Sequence, residues 1–263
     1  MFVIVTPAPI HHSTGAAAPV VAIEGGRTAQ LISLGGATTD ALLDRVAGEL
    51  PGAIDAVDRF WGADWGGGTG EDTTDIVVVA AGSDRQFLTQ ARLDPAQPWQ
   101  DIAAVAVADE VDPSRRRAVG QRIVLAPGAA AMTEPALRIV LRHELFHLAA
   151  RADTAVDALR WLTEGVADFV ARPPEPLPRD AAATTDLPTD AALDAAGPAR
   201  ALGYDRAWWF ARFVADTYGV DALRRLYLRA CGPGHGDLET AVRESLDTDM
   251  TQLQARWAAW LTR

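Results

Sequence analysis

His143-Glu144-Leu145-Phe146-His147 reads H-E-x-x-H inside an apolar, helix-forming run from Thr133 to Ala150. On a helix, positions i and i+4 lie one above the other on the same face. The two imidazoles therefore point the same way and can share one metal ion. Glu144 projects beside them, where its carboxylate can take a proton from water. Histidine is scarce in this chain, five in 263 residues, which makes a chance pairing at this spacing a weak explanation.

Downstream stands Trp161-Leu162-Thr163-Glu164-Gly165-Val166-Ala167-Asp168-Phe169. A catalytic zinc takes three protein ligands and keeps a fourth position open. Glu164 is the natural third ligand, because the chain after His147 is long enough for a turn and the start of an antiparallel helix. Asp168 falls one helical turn beyond Glu164, on the same face. A carboxylate there can accept the free ring N–H of a ligand histidine, fixing its tautomer and raising its basicity. Gly165 has no side chain, so the two helices are expected to approach closely at the metal.

H-E-x-x-H followed by W-L-x-E-G-x-A-D-F resembles the gluzincin metallopeptidases, and more closely the actinobacterial peptidase MA-like metallohydrolases. The resemblance runs over most of the chain and is strongest at the two metal motifs. It implies a zincin-like α+β fold with an N-terminal mixed sheet, an active-site helix and a C-terminal helical lobe. It implies zinc held by His143, His147 and Glu164, with Glu144 as general base and Asp168 behind a histidine. It also places a tyrosine near the start of the Arg200–Tyr218 helix. Tyr204 there either donates to the oxyanion of the substrate or packs as an ordinary helix-start residue, with Arg206 as the next oxyanion candidate. The family often has a small or hydroxyl residue where this chain has Phe146, which is not a ligand position. In the family, the strand equivalent to Arg122–Ala126 borders the cleft and can pair with an extended substrate. The resemblance favours an extracytoplasmic or cell-envelope location, which the residues themselves leave open.

Apolar residues make up 49% of the chain, ample for a core, and the formal charge is −11 with a pI near 4.8. That balance opposes nucleic-acid binding, which needs a basic footprint. No run approaches the ~18 apolar residues of a membrane span, and Met1 to Pro19 does not read as a signal peptide. Every basic residue is arginine. Cys231 is the single cysteine, so no intrachain disulfide is expected, and it reads as a small packing residue. His11, His12 and His235 read as surface residues, and Trp208 and Trp209 as core. Gly66-Gly67-Gly68 lacks the Lys and Ser/Thr of a phosphate loop.

The organisation expected is an extension at 1–19 and a sheet lobe at 20–172 carrying both metal motifs. A Pro/Ala-rich segment at 173–198 and a helical lobe at 199–263 follow. Val20–Glu24 and Thr28–Leu34 form a hairpin around Gly25-Gly26. Asp40–Phe60 has helical spacing, bent or interrupted at Pro51. Asp75–Ala81, Ile102–Val107 and Arg122–Ala126 read as strands and Ser83–Ala91 as a helix. Asp109–Gly120 reads as a solvated, arginine-rich turn. The 173–198 segment is either a surface tether or a flap. Two functions compete: a zinc hydrolase acting on a peptide or protein, and a catalytically inactive zinc-stabilised binding or scaffold protein. Three ligands instead of four, and the presence of Glu144, favour the hydrolase.

Overall fold

The computed structural model describes residues 20–22, 27–65, 76–96 and 99–263. Gly25-Gly26, Gly66-Gly67-Gly68 and His11-His12 lie outside these residues. Two compact units divide the chain, Met1–Ala152 and Asp153–Arg263.

The first unit is α+β. Among the described residues, five strands form a mixed sheet in the order β1-β2-β3-β7-β4. Strand β1 (Val20–Ala22) pairs antiparallel with β2 (Thr28–Ser33), and β3 (Ile76–Ala80) lies parallel to β2. Strand β4 (Ala104–Val107) lies antiparallel to β7 (Arg122–Leu125), which runs parallel to β3. β-Branched residues in β3 and β7 are buried on both faces, as interior strands require. Residues 109–120, expected as a turn, form a small hairpin of β5 (Glu110–Asp112) and β6 (Arg117–Val119).

Helix α1 (Ala37–Trp61) runs through Pro51 without interruption, so of the bend or break expected there the break is overturned. Proline there removes the hydrogen bond to the Ala47 carbonyl. Pro51 is exposed and Ala47 half-buried, so that carbonyl lies on the side facing water. The opposite stripe, Leu42, Leu43, Val46, Leu50, Ile54, Val57 and Phe60, is buried and holds the helix together. A short helix, α2 (Asp84–Ala91), is capped by Ser83 and buries Phe87. Helix α3 (Glu134–Ala150) carries H-E-x-x-H and packs on α1, with Arg138 forking onto Glu49 at 2.7 and 2.8 Å.

The second unit is helical: α4 (Arg160–Ala171), α5 (Asp190–Leu193), α6 (Pro198–Tyr218), α7 (Val220–Cys231), α8 (Leu238–Leu246) and α9 (Met250–Leu261). Helix α4, expected with the sheet lobe, belongs here and packs on α6. Gly165 shows why. A Cβ at that position would meet the Ala207 carbonyl oxygen of α6 at 2.3 Å, so the missing side chain serves the α4–α6 approach. The core is aromatic: Trp161, Phe210, Phe213, Trp257 and Trp260 pack edge to face, tilted or stacked. Trp208 and Trp209 are buried, as expected. No helix among the described residues is long and apolar enough to cross a membrane.

Candidate metal centre

Thr133 caps α3 by accepting from the Ala136 N–H at 3.4 Å, and Pro135 sits in the first turn where its missing N–H costs nothing. Leu137, Leu141, Leu145 and Leu148 are buried along the helix. Phe146 is fully buried against Phe60 at 5.8 Å and Trp61 at 5.7 Å between ring centroids. The aromatic residue between the histidines thus fastens α3 to α1.

His143 and His147 bring their Nε2 atoms to 3.1 Å of each other. Two nitrogens at ~2.05 Å from one tetrahedral zinc stand about 3.3 Å apart, a separation close to the one observed. His147 is buried and His143 half-buried. Glu164 is only 3% exposed, and potential ligand atoms of His143, His147 and Glu164 all lie within 4.8 Å of one another. Two imidazoles and one carboxylate, with no cysteine, are the donor chemistry of a catalytic zinc that keeps a position for water. The residues present fit that ion.

The Glu144 carboxylate accepts a hydrogen bond from the Ala106 N–H of β4 at 2.7 Å, through Oε2. The Ala106 carbonyl in turn accepts from Nη2 of buried Arg151 at 2.7 Å. Among described strands β4 is one of the two sheet edges, β1 being the other, while β7 is paired on both sides. The expectation that the strand at Arg122–Ala126 can pair with an extended substrate is therefore overturned. An interior strand has no free ladder groups left for a peptide, and β4 holds an edge position instead. At Ala106 the outward N–H and C=O are already engaged by Glu144 and Arg151. Sequence reasoning missed both Ala106 and Arg151. Arg151 lies seven residues after Glu144, on the same helix face, and this was the only sign available.

Asp168 is nearly buried, and Arg172 approaches it at 3.4 Å. The same guanidinium reaches Asp205 at 2.9 Å and lies 3.7 Å over the Trp208 ring. Tyr204 is half-buried in the second turn of α6. Burial pushes its hydroxyl well above the ordinary tyrosine range, and the nearby Glu164 and Asp168 carboxylates push the same way. Tyr204 therefore remains a protonated donor close to the charge of Glu164. Arg206 is committed elsewhere. It is buried, and it donates to the Thr184 carbonyl at 3.0 Å and to that of Asp186. That removes Arg206 as an oxyanion candidate.

Residues 173–198 are fastened to the second unit at several points. Arg212 donates to the Glu175 carbonyl at 2.7 Å, and Trp257 Nε1 to that of Asp186 at 3.3 Å. Asp190 accepts from the first backbone N–H groups of α4, Trp161 at 2.7 Å and Arg160 at 3.3 Å. His235 lies 3.4 Å from Asp157, and buried Cys231 is a free thiol. No protein-family model matches the chain, and no curated protein matches it at a significant level.

Proposed function

We propose that the chain is a zinc-dependent metallohydrolase on a zincin-like fold, a peptidase of the gluzincin type. The observation that carries this reading is the convergence of His143, His147 and Glu164 within 4.8 Å, with Glu144 one residue from the first histidine. A zinc ion here would supply Lewis acidity to a carbonyl and to water. His143, His147 and Glu164 would hold it. Glu144 takes the proton of the attacking water and passes it to the leaving amine. The Ala106 N–H fixes one oxygen of that carboxylate, Oε2, and leaves Oε1 for the transfer. Asp168 accepts the outer ring N–H of a ligand histidine and so holds its tautomer. Tyr204, kept protonated by burial and by neighbouring carboxylates, donates to the charge developing on the substrate carbonyl oxygen.

Digestion of an unbiased peptide library tests this reading. The zinc-loaded protein should cleave peptide bonds, and a chelator should stop it. Glu144→Gln should keep its metal and lose most turnover, on the order of 100-fold or more, because an amide cannot take the proton. Cleavage at the wild-type rate by Glu144→Gln would overturn the assignment of the base. A zinc-loaded protein that cleaves nothing favours the non-catalytic scaffold.

A further inference from the structure

Helix α4, which carries Glu164, begins without a cap of its own: Leu159 occupies the N-cap position and offers no side-chain acceptor. The first N–H groups of a helix need partners. Asp190 supplies them from 29 and 30 residues away, accepting from Trp161 N and Arg160 N. The Arg160 side chain answers, donating from Nη2 to the Asp190 carbonyl at 3.0 Å and to Asp194 at 2.5 Å. Asp190 and Asp194 bracket α5, whose Leu193 is buried. On its other side α5 packs against α6 at Gly203, where an added Cβ would meet the Ala192 carbonyl oxygen at 2.7 Å. Gly203 directly precedes Tyr204, and Arg160 lies one helical turn before Glu164. The short helix therefore touches the start of the segment bearing the carboxylate ligand and the start of the segment bearing the tyrosine.

We propose that α5 is a positioning wedge: Asp190, through the N-terminus of α4, sets the placement of Glu164 for the metal. This deepens the metal-site reading and rests on it. In consequence residues 173–198 act as a buttress of the site, not as a flap. A remote cap that merely stabilised the helix would change thermal stability and leave metal affinity alone. A positioning cap changes both, because Glu164 shifts with the first turn of its helix.

Zinc affinity, by competition with a chromophoric chelator, and thermal unfolding of the metal-free protein separate the two. Asp190→Ala should bind zinc on the order of 10-fold more weakly than wild type. Asp190→Asn should recover part of that loss, since its single amide oxygen can still accept from the Trp161 N–H, the shorter of the two bonds. Gly203→Ala, which displaces α5 from its other side, should weaken zinc as Asp190→Ala does. It carries the test if Asp190→Ala does not fold. Wild-type zinc affinity in folded Asp190→Ala or Gly203→Ala, whatever the change in melting temperature, overturns the wedge alone. A wild-type protein that binds no zinc overturns the metal-site reading and the wedge with it.

Discussion

Tyr204 and Cys231 are both driven toward their protonated forms by burial, with opposite consequences for chemistry. For Tyr204 the protonated form is the useful one. Tyr204→Phe should lower turnover about 10- to 100-fold while leaving zinc content unchanged, because only a hydrogen bond to developing charge is lost. Unchanged turnover in parallel peptide-cleavage assays would assign the tyrosine to packing. For Cys231 the protonated form is inert. Burial pushes its thiol from the ordinary 9.0 up to about 12. Because the folded value is raised, the stability this thiol contributes is complete below pH 9 and is lost as pH climbs toward 12. Native protein at pH 8 should resist thiol alkylation that proceeds fully in denaturant; equal rates would contradict the burial. The pairing of His143 and His147 was legible because helical spacing is written in the sequence, whereas Glu164 lies on another helix and was singled out by the need for a third ligand and by the resemblance. Ala106 and Asp190 were not legible. One acts through a backbone N–H, and the other reaches its partners across about thirty residues, so neither leaves a local pattern.

At the scale of elements, the sequence located most helices and strands but not their neighbours. Gly165 was read correctly as a point of close approach, yet the helix it accommodates is α6. Glycine shows that something comes near and carries no record of what. Gly165→Ala would place a Cβ against the Ala207 carbonyl, which is backbone and cannot rotate away. Overpacking of this kind costs about 1–3 kcal/mol, so chemical denaturation should show a lower midpoint; an unchanged midpoint would mean that α4 and α6 do not pack as described. Pro51 failed as a breaker because tertiary burial of one helix face outweighed a single lost hydrogen bond on the wet face. The 109–120 hairpin was missed because its strands are three residues each and expose charged side chains, which masks alternation. In 173–198, proline and alanine hid a segment whose order comes from arginine and tryptophan donors elsewhere in the second unit.

For the whole molecule, composition supplied an acidic balance that disfavours nucleic acid, while the α+β class followed from strand and helix patterning and from the resemblance, and the mixed sheet bears that class out. Metal occupancy is the property on which the rest depends. Ligand binding to the native state alone stabilises it by RT ln(1 + [L]/Kd), about 2.7 kcal/mol at a hundredfold excess over Kd. Chelation should therefore lower the melting temperature of the wild-type protein and leave that of His143→Ala unchanged. The most direct test is elemental analysis of purified wild type, His143→Ala, His147→Ala and Glu164→Ala, each dialysed against zinc and then metal-free buffer. One zinc per wild-type chain is expected, with loss of most of it in each variant. One zinc per chain in all three variants, or none in the wild type, would contradict the metal-site reading.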